Sequence, residues 1–304
     1  MLDGGAVALT VLYILGWCRS GSTVLGNISA EVPGVFHAGE LRFLWQNGVL
    51  GTGSNRRCGC GESLTDCSLW SRVLEEARPP GRGPGEHARD VVAWQAACRT
   101  RHTGRVMRAA PPNGWPATLA ATYRAIAAQT GASVVVDSSK FASDAALLPR
   151  FEGIRPAYIH LIRDPRGVAH SWLRPKDYTG RRGVLNSSAY WLGFNIAAER
   201  VCREAGDRAL RLRYEDLTGD PRGAIARVLN LAGLPADGNP VRPDGSMHLG
   251  PNHTVTGNPN RFDRGPGRLR EDRRWHNGMP TWQRSAVTLI TLPLLGRYRY
   301  PRRP

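Results

Sequence analysis

The chain has 304 residues, 41% of them apolar and 22% charged, with nine Trp, eight Tyr and six Phe. That composition excludes a wholly disordered chain and supplies a core for one large α/β domain or two small ones. Forty-one basic residues against 25 acidic ones give a formal charge of +16, which suits a polyanionic partner (phosphate esters, nucleic acid or an anionic membrane) as well as it suits an arginine-favouring genome.

The apolar run Ala6 to Leu15 is too short to span a bilayer, and it lacks the flanks of a signal peptide. Six cysteines are too few for a disulfide scaffold of this size. The expectation is a cytoplasmic, reduced protein. Lys140 and Lys176 are the two lysines, every other basic residue being Arg, so their placement is informative.

In chain order, short apolar runs predict strands at Ala8–Leu15, Gly34–Phe36, Ser133–Val136, Ala157–Ile162 and Ala209–Arg213. Between them lie helical patterns. Val24, Leu25 and Ile28 share one face of Ser22–Ala30. Trp191, Phe194, Ala198 and Val201 mark another helix. Asp220-Pro221 reads as an N-cap with Pro at the first helical position, and Gly233 reads as the stop. Pro79–Gly85, Pro111–Gly114 and the irregular stretch Leu234–Asn252 are connections. Ala286–Leu295, broken by Pro293, reads as a packed terminal helix. Apolar strands alternating with helices predict an α/β fold with a central parallel sheet covered on both faces. Ligands of such folds lie at the carboxyl ends of the strands.

At the end of the first strand stands Arg19-Ser20-Gly21-Ser22-Thr23, opening a helix. A Gly/Ser turn at a helix N-terminus presents backbone amides and a positive dipole end to an anion. The Walker lysine is missing, which argues against a kinase or nucleotide hydrolase. After the fourth strand, Arg163-Asp164-Pro165 starts a helix that carries Ser171 about two turns on.

These motifs together resemble the PAPS-dependent sulfotransferases, in the same order along residues 8 to about 275. Arg19 to Thr23 resembles the family's 5′-phosphosulfate loop, and Arg163 with Ser171 its 3′-phosphate pair. Arg213-Tyr214-Glu215-Asp216-Leu217 resembles the segment whose tyrosine lies near the adenine. Asn260 to Pro266, with Arg261 and Arg264, resembles the loop that closes over the nucleotide. The resemblance implies a P-loop-kinase-like three-layer sandwich and a single domain over 1–304. It further implies an acceptor-side insertion at about 41–130 and a closing loop at about 252–275. It implies sulfuryl transfer from PAPS to a hydroxyl of a small-molecule, sugar or lipid-linked acceptor, as in the bacterial branch. No nucleic-acid partner, no membrane span and no metal are expected, and peripheral membrane contact stays open.

Arg19 stands where cytosolic members carry Lys, similar to the tyrosylprotein, carbohydrate and bacterial branches, and Lys140 resembles their strand-end lysine. Cytosolic members use a histidine soon after the third strand, and none occurs between His102 and His160. Glu40, in His37-Ala38-Gly39-Glu40, resembles the tyrosylprotein branch's base, with His253 as the alternative. Cys58-x-Cys60 with Cys67 supplies three of the four ligands a structural zinc needs. Cys98 or His37 are the candidates for a fourth, but a local structural role is the expectation. Trp45, Trp70, Trp94 and Trp115 of the insertion are expected mostly in the core. A polyanion-binding protein without catalysis is the rival from outside the enzymes, prompted by six arginines from Arg261 to Arg274; Asp263, Glu271 and Asp272 interrupt that run.

Overall fold

The computed structural model describes residues 8–174 and 180–303; Lys176 and the start of the first apolar run lie outside them. Five strands are parallel: β1 (Leu9–Gly16), β2 (Val35–Gly39), β3 (Val134–Lys140), β4 (Ile154–Ile162) and β5 (Ala209–Arg213). Their order in the sheet is β2-β3-β1-β4-β5. β6 (Ser246–Leu249) and β7 (Gly265–Arg268) form a separate antiparallel pair.

The helices are α1 (Ser22–Ala30), α2 (Ser68–Glu76), α3 (Pro84–Ala96), α4 (Thr103–Arg108), α5 (Trp115–Thr130), α6 (Ala142–Ala145), α7 (Pro165–Leu173), α8 (Val184–Ala205), α9 (Tyr214–Gly219), α10 (Pro221–Ala232), α11 (Trp275–Gly278) and α12 (Thr281–Leu295). Among the described residues, no helix is long and apolar enough to cross a membrane.

β1 explains the layering. Val11, Tyr13 and Leu15 point to one face and pack with residues of α5 and the β2–β3 insertion. Leu12 and Ile14 point to the other and pack with α1 and α10. Period-2 alternation in a strand buried on both faces produces the continuous apolar run seen in the sequence. The three-layer parallel sandwich is therefore as expected. The Asp220 carboxylate accepts from Gly223 N at 2.9 Å, and Gly233 ends α10 with φ +75°. Trp45, Trp70 and Trp115 are buried in the core.

Two expected boundaries move. β2 and β3 run on to Gly39 and Lys140, so Lys140 is the last strand residue and does not follow the strand. Leu234–Asn252, read as irregular, contains β6.

From β1 the chain builds β2 and β3 on one side, then crosses from β3 to place β4 and β5 on the other. The carboxyl end of β1 is thus a topological switch point, where ligands bind in open α/β sheets.

Candidate active site

The turn after β1 is built around glycines. At Gly16, φ is +127° and a Cβ would collide with the Leu161 carbonyl. Gly21, with φ +92°, is the N-cap of α1, and a Cβ there would lie 2.9 Å from the Tyr214 ring. No side chain caps α1, and no acidic residue lies in its first turn. Its leading amides and dipole therefore face the turn without a resident anion. Ser20 Oγ is buried there with no hydrogen-bond partner. A buried orphan hydroxyl beside uncapped amides matches the donor set that an anionic phosphosulfate group needs.

Lys140 approaches this turn from β3. Asp137 Oδ1 accepts from Ser139 N at 2.8 Å and from Ser139 Oγ at 2.5 Å, and Tyr123 donates to Asp137 Oδ2 at 2.7 Å. The β1–β3 register slips at this point. The resulting bulge delivers Lys140 with φ +73°. Its Nζ donates to Glu40 Oε1 at 2.8 Å, to the Ser138 carbonyl at 2.5 Å and toward Ser22 Oγ at 3.5 Å. Burial alone lowers the ammonium's pKa; the Glu40 carboxylate and further anionic neighbours outweigh it and hold the pKa above its ordinary value.

Glu40 is held by its backbone. Glu40 N donates to Val255 O at 2.7 Å, and Val255 N donates to Ala38 O at 2.8 Å. Residues around Val255 thus form a strap across the end of β2, and a Cβ on Gly39 would collide with it. Arg19, Gly21, Ser22, Thr23, Glu40 and Lys140 line one cavity of about 350 Å³. The sequence reading missed its other walls: Phe43, Gln46 and Asn47 from the insertion, Trp172 from α7, and the strap residues Thr256 to Asn258. Arg19 stacks over Trp172 at 4.7 Å. Scattered Asn, Gln and Thr carry no spacing signal, so only the fold assembles them.

Arg163 and Tyr214 lie against the outside of the turn. Arg163 stacks on the Tyr214 ring at 4.4 Å, and its guanidinium donates to the Arg19 carbonyl at 3.1 Å and the Asp272 carbonyl at 2.9 Å. The Asp272 carboxylate lies 3.5 Å from Arg163 and 2.7 Å from Arg274. Ser171 is buried on α7. Arg163, Ser171 and Tyr214 do not line the cavity itself.

The closing-loop arginines bond the loop to the insertion. Arg261 is buried and donates to the carbonyls of Thr254 and Arg57 and to Asn55 Oδ1. Burial lowers its pKa to about 10. Arg264 donates to the Gly59 carbonyl at 3.1 Å. Neither lines the cavity.

His253 is also outside it. Its Nδ1 lies 3.2 Å from Cys67 Sγ and 3.6 Å from Cys58 Sγ. With Cys60 these groups bring four ligand atoms within 4.8 Å of one another. The fourth member is thus His253. Cys98 is elsewhere, its carbonyl bonded to Ser143 Oγ, and His37 Nδ1 and Nε2 lie beside Asn27 Oδ1 and Ser138 Oγ.

No protein-family model and no curated protein matches the chain. Solved structures do. A sulfotransferase domain of the olefin synthase of Synechococcus PCC 7002 superposes with a TM-score of 0.54 at 20% identity, over 96% of this chain and 95% of that one. A sulfotransferase domain from the curacin biosynthetic pathway superposes with a TM-score of 0.55 at 17% identity, over 97% and 99%. The fold is that of sulfotransferase domains, a central parallel sheet flanked by helices.

Proposed function

We propose that this chain is a sulfotransferase that moves a sulfuryl group from PAPS to a hydroxyl of a small-molecule, sugar or lipid-linked acceptor. The observation that carries the reading is the convergence, in one cavity at the switch point, of an uncapped helix N-terminus, two cations and one carboxylate. Residues 41–130 supply part of the acceptor wall through Phe43, Gln46 and Asn47.

The donor, when bound, supplies a sulfuryl group on a good phosphate leaving group. The turn from Ser20 to Thr23 holds its 5′ end with amides and hydroxyls. Arg163 and Ser171, with Arg261 or Arg264 of the closing loop, meet the 3′-phosphate, and Tyr214 lies near the adenine. Glu40 accepts the acceptor's hydroxyl proton as the oxygen–sulfur bond forms. Arg19 and Lys140 stabilise the charge that the breaking sulfur–oxygen bond leaves on the phosphate. Lys140 already spans the two sides of this step, since it touches both Glu40 and Ser22.

The test is calorimetric titration with adenosine 3′,5′-bisphosphate, beside ATP–Mg²⁺ and beside an Arg163→Ala chain. Micromolar binding of the bisphosphate alone, lost in the variant, is expected. Binding of ATP–Mg²⁺ alone would overturn the reading in favour of a kinase or nucleotide hydrolase.

A further inference from the structure

We infer that Cys58, Cys60, Cys67 and His253 form a structural zinc site that ties the acceptor-side insertion to the strap over β2. The inference is independent of the proposed transferase activity. Three thiolates and one imidazole are a complete ligand set for a closed tetrahedral zinc centre. With zinc–sulfur and zinc–nitrogen bonds of about 2.3 and 2.0 Å, tetrahedral S···N separations come to about 3.5 Å. The separations from His253 Nδ1 to the Cys67 and Cys58 sulfurs are 3.2 and 3.6 Å, and all four ligand atoms lie within 4.8 Å of one another.

The backbone around the cluster is preorganised. Gly61, with φ +103°, turns the chain after Cys60, and its N–H donates to the Cys58 carbonyl at 2.9 Å. Cys67 is the N-cap of α2, where the helix dipole favours a thiolate. From the strap side, the His253 carbonyl accepts from Trp70 Nε1 at 2.6 Å. Gly59 N donates to Thr254 O at 3.0 Å, and Cys58 bridges Val255. A Cβ on Gly59 would collide with Asn252, so the two segments approach as closely as backbone allows. The site is distinct from the cavity that holds Glu40 and Lys140, since none of its four ligands lines that cavity. Its effect is a cross-link: an ion held here fixes Val255, and Val255 in turn bonds Glu40 N.

Metal analysis of the full chain, purified under reducing conditions without chelator, tests this. About one zinc per chain is expected, falling below about a tenth in His253→Ala and Cys60→Ser chains. Cobalt titration of the reduced wild-type chain guards against variants that fail to fold; the thiolate charge-transfer and d–d bands of tetrahedral cobalt are expected at one equivalent, displaced by zinc. No zinc together with no cobalt uptake would overturn the inference. So would a Cys58–Cys67 disulfide in anaerobically purified protein, or unchanged zinc content in a folded His253→Ala chain.

Discussion

Arg19 and Lys140 share an unusual backbone. Among the described residues, four non-glycine positions have positive φ, and these two are among them, at +72° and +73°. Left-handed residues with side chains cost about 1–3 kcal/mol each and persist only where surrounding contacts enforce them. At Lys140 the Asp137–Ser139 bulge does the enforcing; at Arg19 the carbonyl is held by Arg163. Both side chains are thereby aimed at Glu40's cavity. Replacing Glu40 with Gln keeps the shape and a hydrogen-bonding oxygen near Lys140 but removes the proposed base. Turnover measured with PAPS is expected to fall by roughly 10²–10⁴-fold, with bisphosphate affinity held within a few-fold. Near-normal turnover would remove Glu40 from that role. At this scale the sequence was partly legible. Lysine scarcity and strand-end position pick out Lys140, and the Gly-Glu pair picks out Glu40. The hydrogen-bond partners of Arg261 and Arg264 were not legible, because they are carbonyls of Arg57, Gly59 and Thr254, which every residue type offers equally.

Elements follow from pattern where the pattern is local. All five parallel strands and the caps of α7 and α10 could be read from apolar runs and from Asp-Pro pairs. β7, with sequence Gly-Pro-Gly-Arg, carries no strand signal; it exists because β6 stands beside it. His37 shows how elements are joined. Its ring lies against Gly26 of α1, beside Asn27 Oδ1 at 3.0 Å and Ser138 Oγ at 3.2 Å, so β2, β3 and α1 meet on one imidazole. Burial, with Lys140's charge, lowers its pKa to about 3. The unfolded chain binds a proton at His37 below about pH 6.5, which the folded chain excludes until about pH 3. Stability from this group is therefore present above pH 6.5 and is lost as pH falls through the window, by about 1.4 kcal/mol per unit at most. Thermal melts of wild-type and His37→Gln chains across that window are expected to converge as pH falls. Parallel curves would show that the imidazole is not held neutral by the fold.

The whole molecule carries +16, and much of its arginine is already paired internally. Buried Arg42 grips Asp144 at 2.6 Å and the Gln95 carbonyl at 2.6 Å, fastening the insertion to α6. Glu199 gathers Arg211 and Arg297 at the far end. Interruption of the Arg261–Arg274 run by acidic residues produces pairs such as Arg274–Asp272 and Arg273–Glu271, a folded segment in place of an open basic arm. The surplus charge is expected to act as a field that draws a small polyanion to the cavity. Raising ionic strength from about 0.05 to 0.3 M should weaken bisphosphate binding roughly 5-fold or more. Affinity for random duplex DNA should stay weak at both. Tight DNA binding undisturbed by the bisphosphate would instead favour the polyanion-binding rival.

The strap has a consequence for the order of assembly. Val255 meets both Gly39 and Cys58 although most of the chain separates it from them in sequence. Such closure carries the entropy of a very long loop and is among the last contacts to reward the folding chain. A ribosome delivers β1 to β5, and with them the turn after β1, before it delivers His253. During synthesis the turn after β1 is thus made while Glu40 still lacks its backbone partner, Val255. The parallel sheet thus precedes its strap, and the cavity wall supplied by Thr256 to Asn258 closes only when the last sixth of the chain docks.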